Sequence, residues 1–251
     1  GILTRIGTNV NVTYSEGYRK GGDAALAERA VAAAKAADVV IYVGGINHDI
    51  GYDSEGGDKK GLEMPYGQVE LLQKLTKANP RLVTVLVGGS PMEVDAWLGS
   101  VPAVLLSWYS GMEGGNAIAR VLFGDVNPSG KLPATFPKRL ADSPAHTAGA
   151  KGFPGENGTT TYSEGLLVGY RWFDTKTIEP LFAFGHGLSY TTFKYSNLKL
   201  VRSADVNNPA ATVEFEITNT GKRAGAEVAQ IYVQDVQSSV ARPLKELKGF
   251  Q

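Results

Sequence analysis

The 251-residue chain contains no cysteine. Disulfides and thiolate metal sites are thereby excluded. It also lacks any surplus of charge: Lys+Arg and Asp+Glu number 25 each. A nucleic-acid surface would show a basic excess, and so would an electrostatic membrane anchor. No apolar run approaches the roughly 20 residues needed to span a bilayer. Residues 1–7 have no apolar core of the length a secretory leader requires. Position 1 is Gly rather than Met, so the native start and its targeting signal are left open, and a periplasmic or secreted location is expected over the cytoplasm. Histidine is sparse: His48, His146 and His186 are too scattered for metal-ligand spacing, so neither a metal nor a cofactor is expected. Gly44-Gly45-Ile46-Asn47 follows a strand signal but is not a dinucleotide fingerprint. Gly187-Leu188-Ser189-Tyr190-Thr191 is not a nucleophile elbow, which counts against a serine hydrolase.

What is present has two grammars. Hydrophobic residues make up 43% of the chain, enough for one large core or two smaller ones. In the first half, helix and strand signals alternate. Asp23 is an N-cap candidate for an Ala-rich helix to about Ala37. Residues 39–43 read as a buried strand ending at Gly44-Gly45. A long polar loop spans residues 46–66. Residues 68–77 read as a helix with Leu71, Leu72 and Leu75 on one face. Strands follow at 82–87 and 101–107, and helices at 91–98 and 116–123. Short apolar strands alternating with helices predict a mostly parallel sheet covered on both faces. Ligands bind beyond the C-terminal strand ends of such sheets.

From Asn127 the pattern changes. Pro128, Pro133, Pro137 and Pro144 break regular structure, and residues 145–161 read as an exposed loop. After Phe193, strands come without helices. Val213, Phe215 and Ile217 alternate with Thr212, Glu214 and Glu216, and Asn219-Thr220-Gly221 marks a turn before a strand at 228–233. This predicts an antiparallel sandwich of immunoglobulin or fibronectin style, with about four of its usual seven strands.

Five segments carry a resemblance. They are Asp53-Ser54-Glu55-Gly56-Gly57-Asp58-Lys59 with Leu62, Pro65 and Gln68; Gly124-Asp125-Val126-Asn127-Pro128-Ser129-Gly130-Lys131-Leu132-Pro133; Tyr162-Ser163-Glu164-Gly165 with Gly169-Tyr170-Arg171; Pro180-Leu181-Phe182-Ala183-Phe184-Gly185-His186-Gly187-Leu188-Ser189-Tyr190; and Asn219-Thr220-Gly221 with Gly225-Ala226-Glu227-Val228 and Arg242-Pro243-Leu244. In this order they resemble the C-terminal portion of glycoside hydrolase family 3. Lys59 stands where the family usually has Arg, which keeps the charge and loses the bidentate fork.

The resemblance implies a three-layer α/β/α sandwich with a mostly parallel sheet (1–144, without its first strand and helix). A connecting segment (145–190) and an incomplete fibronectin type III-like all-β sandwich (191–251) follow. It implies a retaining, exo-acting β-glycosidase, with β-glucosidase first and β-xylosidase second. The acid/base Glu matches Glu55, and the nucleophile Asp belongs to an absent N-terminal (β/α)8 barrel domain or chain. From residues alone, a Glu in a Gly-rich acidic loop is most often merely solvated, although long loops carry function more often than short ones. Asp53 and Asp58 are expected to raise the pKa of Glu55, and Lys59 and Lys60 to lower it.

His48, Tyr52 and Asp58 are further substrate-binding candidates. Trp108 is expected in the core, Glu113 near a helix N-terminus, Glu164 and Arg171 as a structural pair, and His186 in packing. The expected partners are a β-glucoside or oligosaccharide and the barrel, with no nucleic acid and no membrane; a homodimer is compatible. The rival class is a non-catalytic carbohydrate-binding or scaffold module, which predicts sugar affinity in this chain alone and no role for Glu55.

Overall fold

The structure is a computed structural model that describes residues 1–7, 9–203 and 211–251. Through residue 122 the elements are α1 (Ile2–Ile6), α2 (Ala24–Ala36), β1 (Val40–Gly45), α3 (Gln68–Ala78), β2 (Leu82–Val87), α4 (Asp95–Leu98), β3 (Ala103–Leu106) and α5 (Gly114–Leu122). The three strands pair in parallel in the order β1-β2-β3.

Local sequence explains the elements. Asp23 caps α2 by accepting from the N–H groups of Ala25 and Leu26, satisfying two of the first-turn donors that lack helical partners. Leu26, Ala30 and Ala34, four apart, form its buried stripe. Leu71, Leu72 and Leu75 do the same on α3. Beyond the end of α3, the Asn79 side chain donates to the carbonyls of Ala34 and Ala37, 3.0 and 2.7 Å away, tying the C-terminal ends of α2 and α3 together.

These stripes meet Tyr42, Leu82 and Leu86 of the sheet and Trp97 of α4 in one buried cluster. The opposite sheet face is covered only in part. Val85 at its centre is fully buried, while Val43, its register partner on the edge strand, is 50% exposed.

The helix expected over 91–98 is shorter. Residues 91–94 lie outside the helix, with Met92 and Val94 buried and Glu93 outward, and Glu93 N–H donates to Leu62 O at 2.6 Å. That period of two is a strand-like signature.

Beyond α5, the loop expected over 145–161 contains 3-10 turns at Pro144–His146 and Gly149–Lys151. A helix that the sequence reading did not anticipate, α6 (Tyr170–Lys176), follows. Strands β4 (Phe193–Arg202) and β5 (Ala211–Asn219) form one antiparallel ribbon, and β6 (Gln230–Val233) and β7 (Glu246–Phe250) another. Tyr195, Leu200, Val213 and Phe215 of the first ribbon face Ile231 and Tyr232 of the second across a groove of about 610 Å3.

The family-like segments around Asn127 and residues 180–190 join these parts. Asn127 accepts from Ser189 Oγ and Tyr190 N–H and donates to Ala224 O at 2.9, 2.7 and 2.9 Å. Lys131 donates to Gly187 O at 2.7 Å and pairs with Glu227 at 3.1 Å, both side chains largely buried.

Candidate active site

The long loop between β1 and α3 has a closed neck. Gln68 is fully buried. Its side-chain oxygen accepts from Gly45 N–H at 2.8 Å and from the Tyr42 hydroxyl at 2.7 Å, and its amide donates to Gly45 O at 2.7 Å. Burial raises the Tyr42 pKa well above the ordinary phenol value, so the hydroxyl stays a donor. Only glycine fits at the neck. A Cβ on Gly44 would lie 2.3 Å from the Tyr42 hydroxyl, and one on Gly45 would lie 2.0 Å from Val87 O.

The middle of the loop is tied to the other two strand ends. Asp53 accepts from Gly89 N–H and from Ser90 Oγ, just past β2, and from the Tyr109 hydroxyl, just past β3, at 2.6, 2.5 and 2.8 Å. Lys59 donates to Ser90 Oγ at 3.0 Å and to Pro91 O at 2.6 Å. Desolvation pushes the Asp53 carboxyl up. The Ser90, Gly89 and Tyr109 hydrogen bonds and the Lys59 charge outweigh it and hold the carboxyl below the usual range. Desolvation and the Asp53 carboxylate push the Tyr109 phenol up to about 12. Asp53 and Lys59, expected from the sequence to tune Glu55 in opposite directions, both make anchoring contacts. Ser90 and Tyr109 were not singled out by sequence. Their only signal was their place just beyond apolar strands of a parallel sheet.

Between these ties Ser54 and Gly57 are half-buried, while the side chains of Glu55 and Asp58 point to solvent. Glu55 is exposed, with no hydrogen bond or ion pair among the described residues, and Asp58 is likewise exposed and unpaired. His48 stacks on Tyr109 with ring centroids 4.6 Å apart, and its Nδ1 lies 2.8 Å from Asp53 O. A carbonyl only accepts, so Nδ1 carries the proton in this contact. Tyr52 is half-buried and meets the Tyr66 ring edge-on. Lys20, His48, Asp49, Ile50, Tyr52 and Tyr66 line a groove of about 410 Å3 beside the loop. Within it Asp49 accepts from the Tyr66 hydroxyl and pairs with Lys20 at 3.3 Å. The Tyr66 hydrogen bond and then Lys20 hold the Asp49 carboxyl below its usual range.

The remaining candidates sit apart from this loop. Trp108 is half-buried and packs edge-on against Phe136. Glu113 is at the N-cap of α5 and accepts from the Asn116 side chain at 2.6 Å. Arg171 pairs with Glu246 at 3.6 Å rather than with Glu164, because α6 turns its first residues toward β7. His186 stacks on Phe182 at 4.9 Å. Among the described residues, no three His, Asp or Glu side chains converge into a set that could hold a metal ion.

The fold and site therefore define an α/β protein that presents free carboxylates, Glu55 and Asp58 among them, from an anchored loop at the C-terminal edge of a parallel sheet. The family model for the glycosyl hydrolase family 3 C-terminal domain matches residues 3–170, and that for a fibronectin type III-like domain matches residues 227–251. The chain belongs to glycoside hydrolase family 3. It is 44% identical over 266 residues to the beta-glucosidase BoGH3A of Bacteroides ovatus, an alignment covering 100% of this chain and 35% of that protein. It is 45% identical over 248 residues to the thermostable beta-glucosidase B of Acetivibrio thermocellus, covering 98% and 32%. Among solved structures, the family 3 beta-glucosidase of Bifidobacterium adolescentis matches with a TM-score of 0.85 and 41% identity, over 91% of this chain and 33% of that one. Beta-glucosidase 3B of Thermotoga neapolitana, in complex with glucose, matches with a TM-score of 0.75 and 32% identity, over 96% and 33%. The chain thus spans about a third of the length of the curated relatives it matches.

Proposed function

We propose that this chain is the acid/base-bearing part of a retaining, exo-acting β-glucosidase, with Glu55 as the acid/base. The observation that carries the reading is the free, exposed Glu55 carboxylate in a loop tied at both sides to strand ends. Such a carboxylate is available to a substrate, unlike Asp53 and Asp49, whose oxygens are already engaged. Retaining hydrolysis needs two carboxyl groups about 5–5.5 Å apart. One attacks the anomeric carbon; the other protonates the leaving oxygen and then deprotonates the incoming water. The nucleophile Asp is assigned to a (β/α)8 barrel domain outside this chain, where most of the sugar is held. Docking against that domain would desolvate Glu55, which suits a general acid.

His48, Tyr52 and Asp58 are assigned to the leaving-group side of the substrate. His48 offers its Nε2, Tyr52 an aromatic face and Asp58 an unpaired carboxylate to sugar hydroxyls. The proposed division of the chain is an α/β domain at 1–144, a connector at 145–190 and a partial fibronectin-like domain at 191–251. The glucosidase relatives support glucose over xylose as the sugar.

The test is Glu55→Ala in the complete enzyme. A disaccharide has a poor leaving group and should lose about 10²–10⁴-fold in rate. A dinitrophenyl glucoside expels dinitrophenolate, a stable anion, so its glycosylation step should be nearly spared and the glycosyl-enzyme should accumulate. Azide needs no general base and should rescue turnover, giving a β-glucosyl azide. Equal slowing of both substrates without azide rescue would remove Glu55 from the mechanism.

A further inference from the structure

Glu55 lies between two anchors that converge on one short segment. Asp53, two residues before it, takes Gly89 N–H and Ser90 Oγ; Lys59, four residues after it, takes Ser90 Oγ and Pro91 O. Ser90 belongs to both ties, donating its hydroxyl proton to Asp53 and accepting from Lys59. The Tyr109 hydroxyl adds a third bond to Asp53, and His48 braces the Asp53 carbonyl. The arch between the feet contains Gly56 in the left-handed region at φ 74°, with nothing within 4 Å of where its Cβ would be. Glu55 and Gly56 at its crown are exposed. The feet are therefore over-determined by charge-assisted hydrogen bonds, while the crown has no packing of its own to define its place.

We propose that Asp53 and Lys59 are positioning residues for Glu55, clamping both feet of its arch to residues 89–91 so that proton transfer by Glu55, and not substrate affinity, depends on them. This rests on the reading of Glu55 as the acid/base. The physical reason is the steep dependence of proton transfer on placement: a displacement of about 1 Å costs on the order of 10²-fold in rate. With one foot released, the arch can swing on its glycines, and Glu55 spends less time within hydrogen-bond reach of the leaving oxygen. Most of the sugar is held outside this chain and the arch carries only Asp58 of the proposed leaving-group contacts, so kcat should fall far more than KM rises. Lys59 works here as a point charge with several donors, reaching a hydroxyl and a carbonyl at once. An Arg in its place could make the same two contacts, whereas an apolar chain could make neither.

The experiment uses the complete enzyme with Asp53→Ala, Asp53→Asn, Lys59→Met and Lys59→Arg, each alone and with Glu55→Ala. Turnover is measured on a disaccharide and on dinitrophenyl β-glucoside. Asp53→Ala and Lys59→Met should each lower kcat on the disaccharide by about 10- to 100-fold with KM within about twofold. The glycosylation burst on the dinitrophenyl substrate should be spared, and Lys59→Arg should restore most of the loss. In the Glu55→Ala background the same changes should add almost nothing, because a positioning residue acts only through the group it positions. Losses that multiply with Glu55→Ala, that appear in KM, or that strike both substrates equally overturn the inference while leaving Glu55 as the acid/base. Failure of Glu55→Ala itself to discriminate between the substrates overturns the underlying reading instead. If Asp53→Ala does not fold, Asp53→Asn and Lys59→Met carry the same comparison, since each keeps the shape of the side chain it replaces.

Discussion

The side-chain amide of Gln68 closes a two-bond ring with Gly45, accepting its N–H and donating to its carbonyl as a neighbouring strand would. Gly45 is the last residue of β1 and Gln68 the first of α3. One side chain therefore joins the start and end of the loop that bears Glu55. The loop leaves and re-enters the fold through a fixed gate, so its great length costs little in definition.

Removing that ring should be expensive. Gln68→Ala leaves the Gly45 N–H and carbonyl and the Tyr42 hydroxyl without a partner in a site closed to solvent. Each buried orphan costs about 1–3 kcal/mol, so a loss of about 3–5 kcal/mol is expected in urea unfolding. Gln68→Glu should be comparably damaging at neutral pH, where it buries a carboxylate against the Gly45 carbonyl. It should recover partly on acidification, when the protonated acid can donate again. A loss below about 1 kcal/mol for Gln68→Ala would show that the neck is held elsewhere.

Glycines 45 and 56 should respond differently to Ala. At Gly45 the new Cβ meets Val87 O at 2.0 Å and Val87 N at 2.8 Å, and φ is 128°. The obstacle is the paired backbone of β2, which cannot yield without opening the sheet. A loss beyond about 4 kcal/mol, or no folded protein, is expected. At Gly56 the space is open, and only the left-handed φ of 74° is penalised, by about 1–2 kcal/mol. Thermal unfolding of the two variants checks the contrast, and equal losses would contradict it.

The sheet and its helices were legible because their signals are local. Residues 82–87 are continuously apolar bar Thr84, and Asp23 sits where a cap must. The anchoring of the loop was not legible: Gly89, Ser90 and Tyr109 lie 36, 37 and 56 residues from Asp53, and no periodicity links them. Helix α6 was missed for a related reason. It has Gly169 at its N-cap and no side-chain cap. Tertiary contacts hold it: Phe173 is buried, Trp172 Nε1 donates to Asp142 O, and the Tyr170 hydroxyl accepts from Leu247 N–H. Glu55 was singled out by its motif, since in the sequence a Glu of a Gly-rich acidic loop looks like any solvated carboxylate, and its freedom within an anchored loop shows only in three dimensions.

Acid should loosen the protein, and alkali should spare the loop anchor longer. The carboxyls of Asp49, Asp53, Asp125 and Asp142 all lie below the ordinary range, each with hydrogen-bonding partners. A depressed carboxyl contributes stability that is complete above its unfolded pKa of about 3.9 and is lost as pH falls through the folded value. The urea midpoint should therefore stay flat from about pH 7 to 5 and drop below about pH 4. Tyr109 works in the other direction. Its raised pKa contributes stability that is present below about pH 10 and lost as pH climbs through about 12. A midpoint that rises between pH 5 and 3 would contradict the assignment.

The tie between the two parts of the chain offers an asymmetric test. Lys131 and Glu227 are 15% and 17% exposed, and Lys131 also donates to Gly187 O. Lys131→Met strips the counter-charge from a largely buried carboxylate, leaving Glu227, among the described residues, with only the 3.4 Å contact from the Tyr195 hydroxyl, and it orphans the Gly187 carbonyl. Breaking a buried pair by removing one partner costs about 3–5 kcal/mol, and the residual solvent access here reduces that to about 2–3 kcal/mol. Glu227→Gln keeps an acceptor for Lys131 and leaves the Gly187 bond intact, so about 1 kcal/mol or less is expected. The double variant should be no worse than Lys131→Met alone, because the stranded carboxylate is what makes that single change costly. Thermal unfolding of the two single variants and the double variant checks the order. If Glu227→Gln proved as damaging as Lys131→Met, the Gly187 hydrogen bond and the desolvated charge would not be what sets the cost.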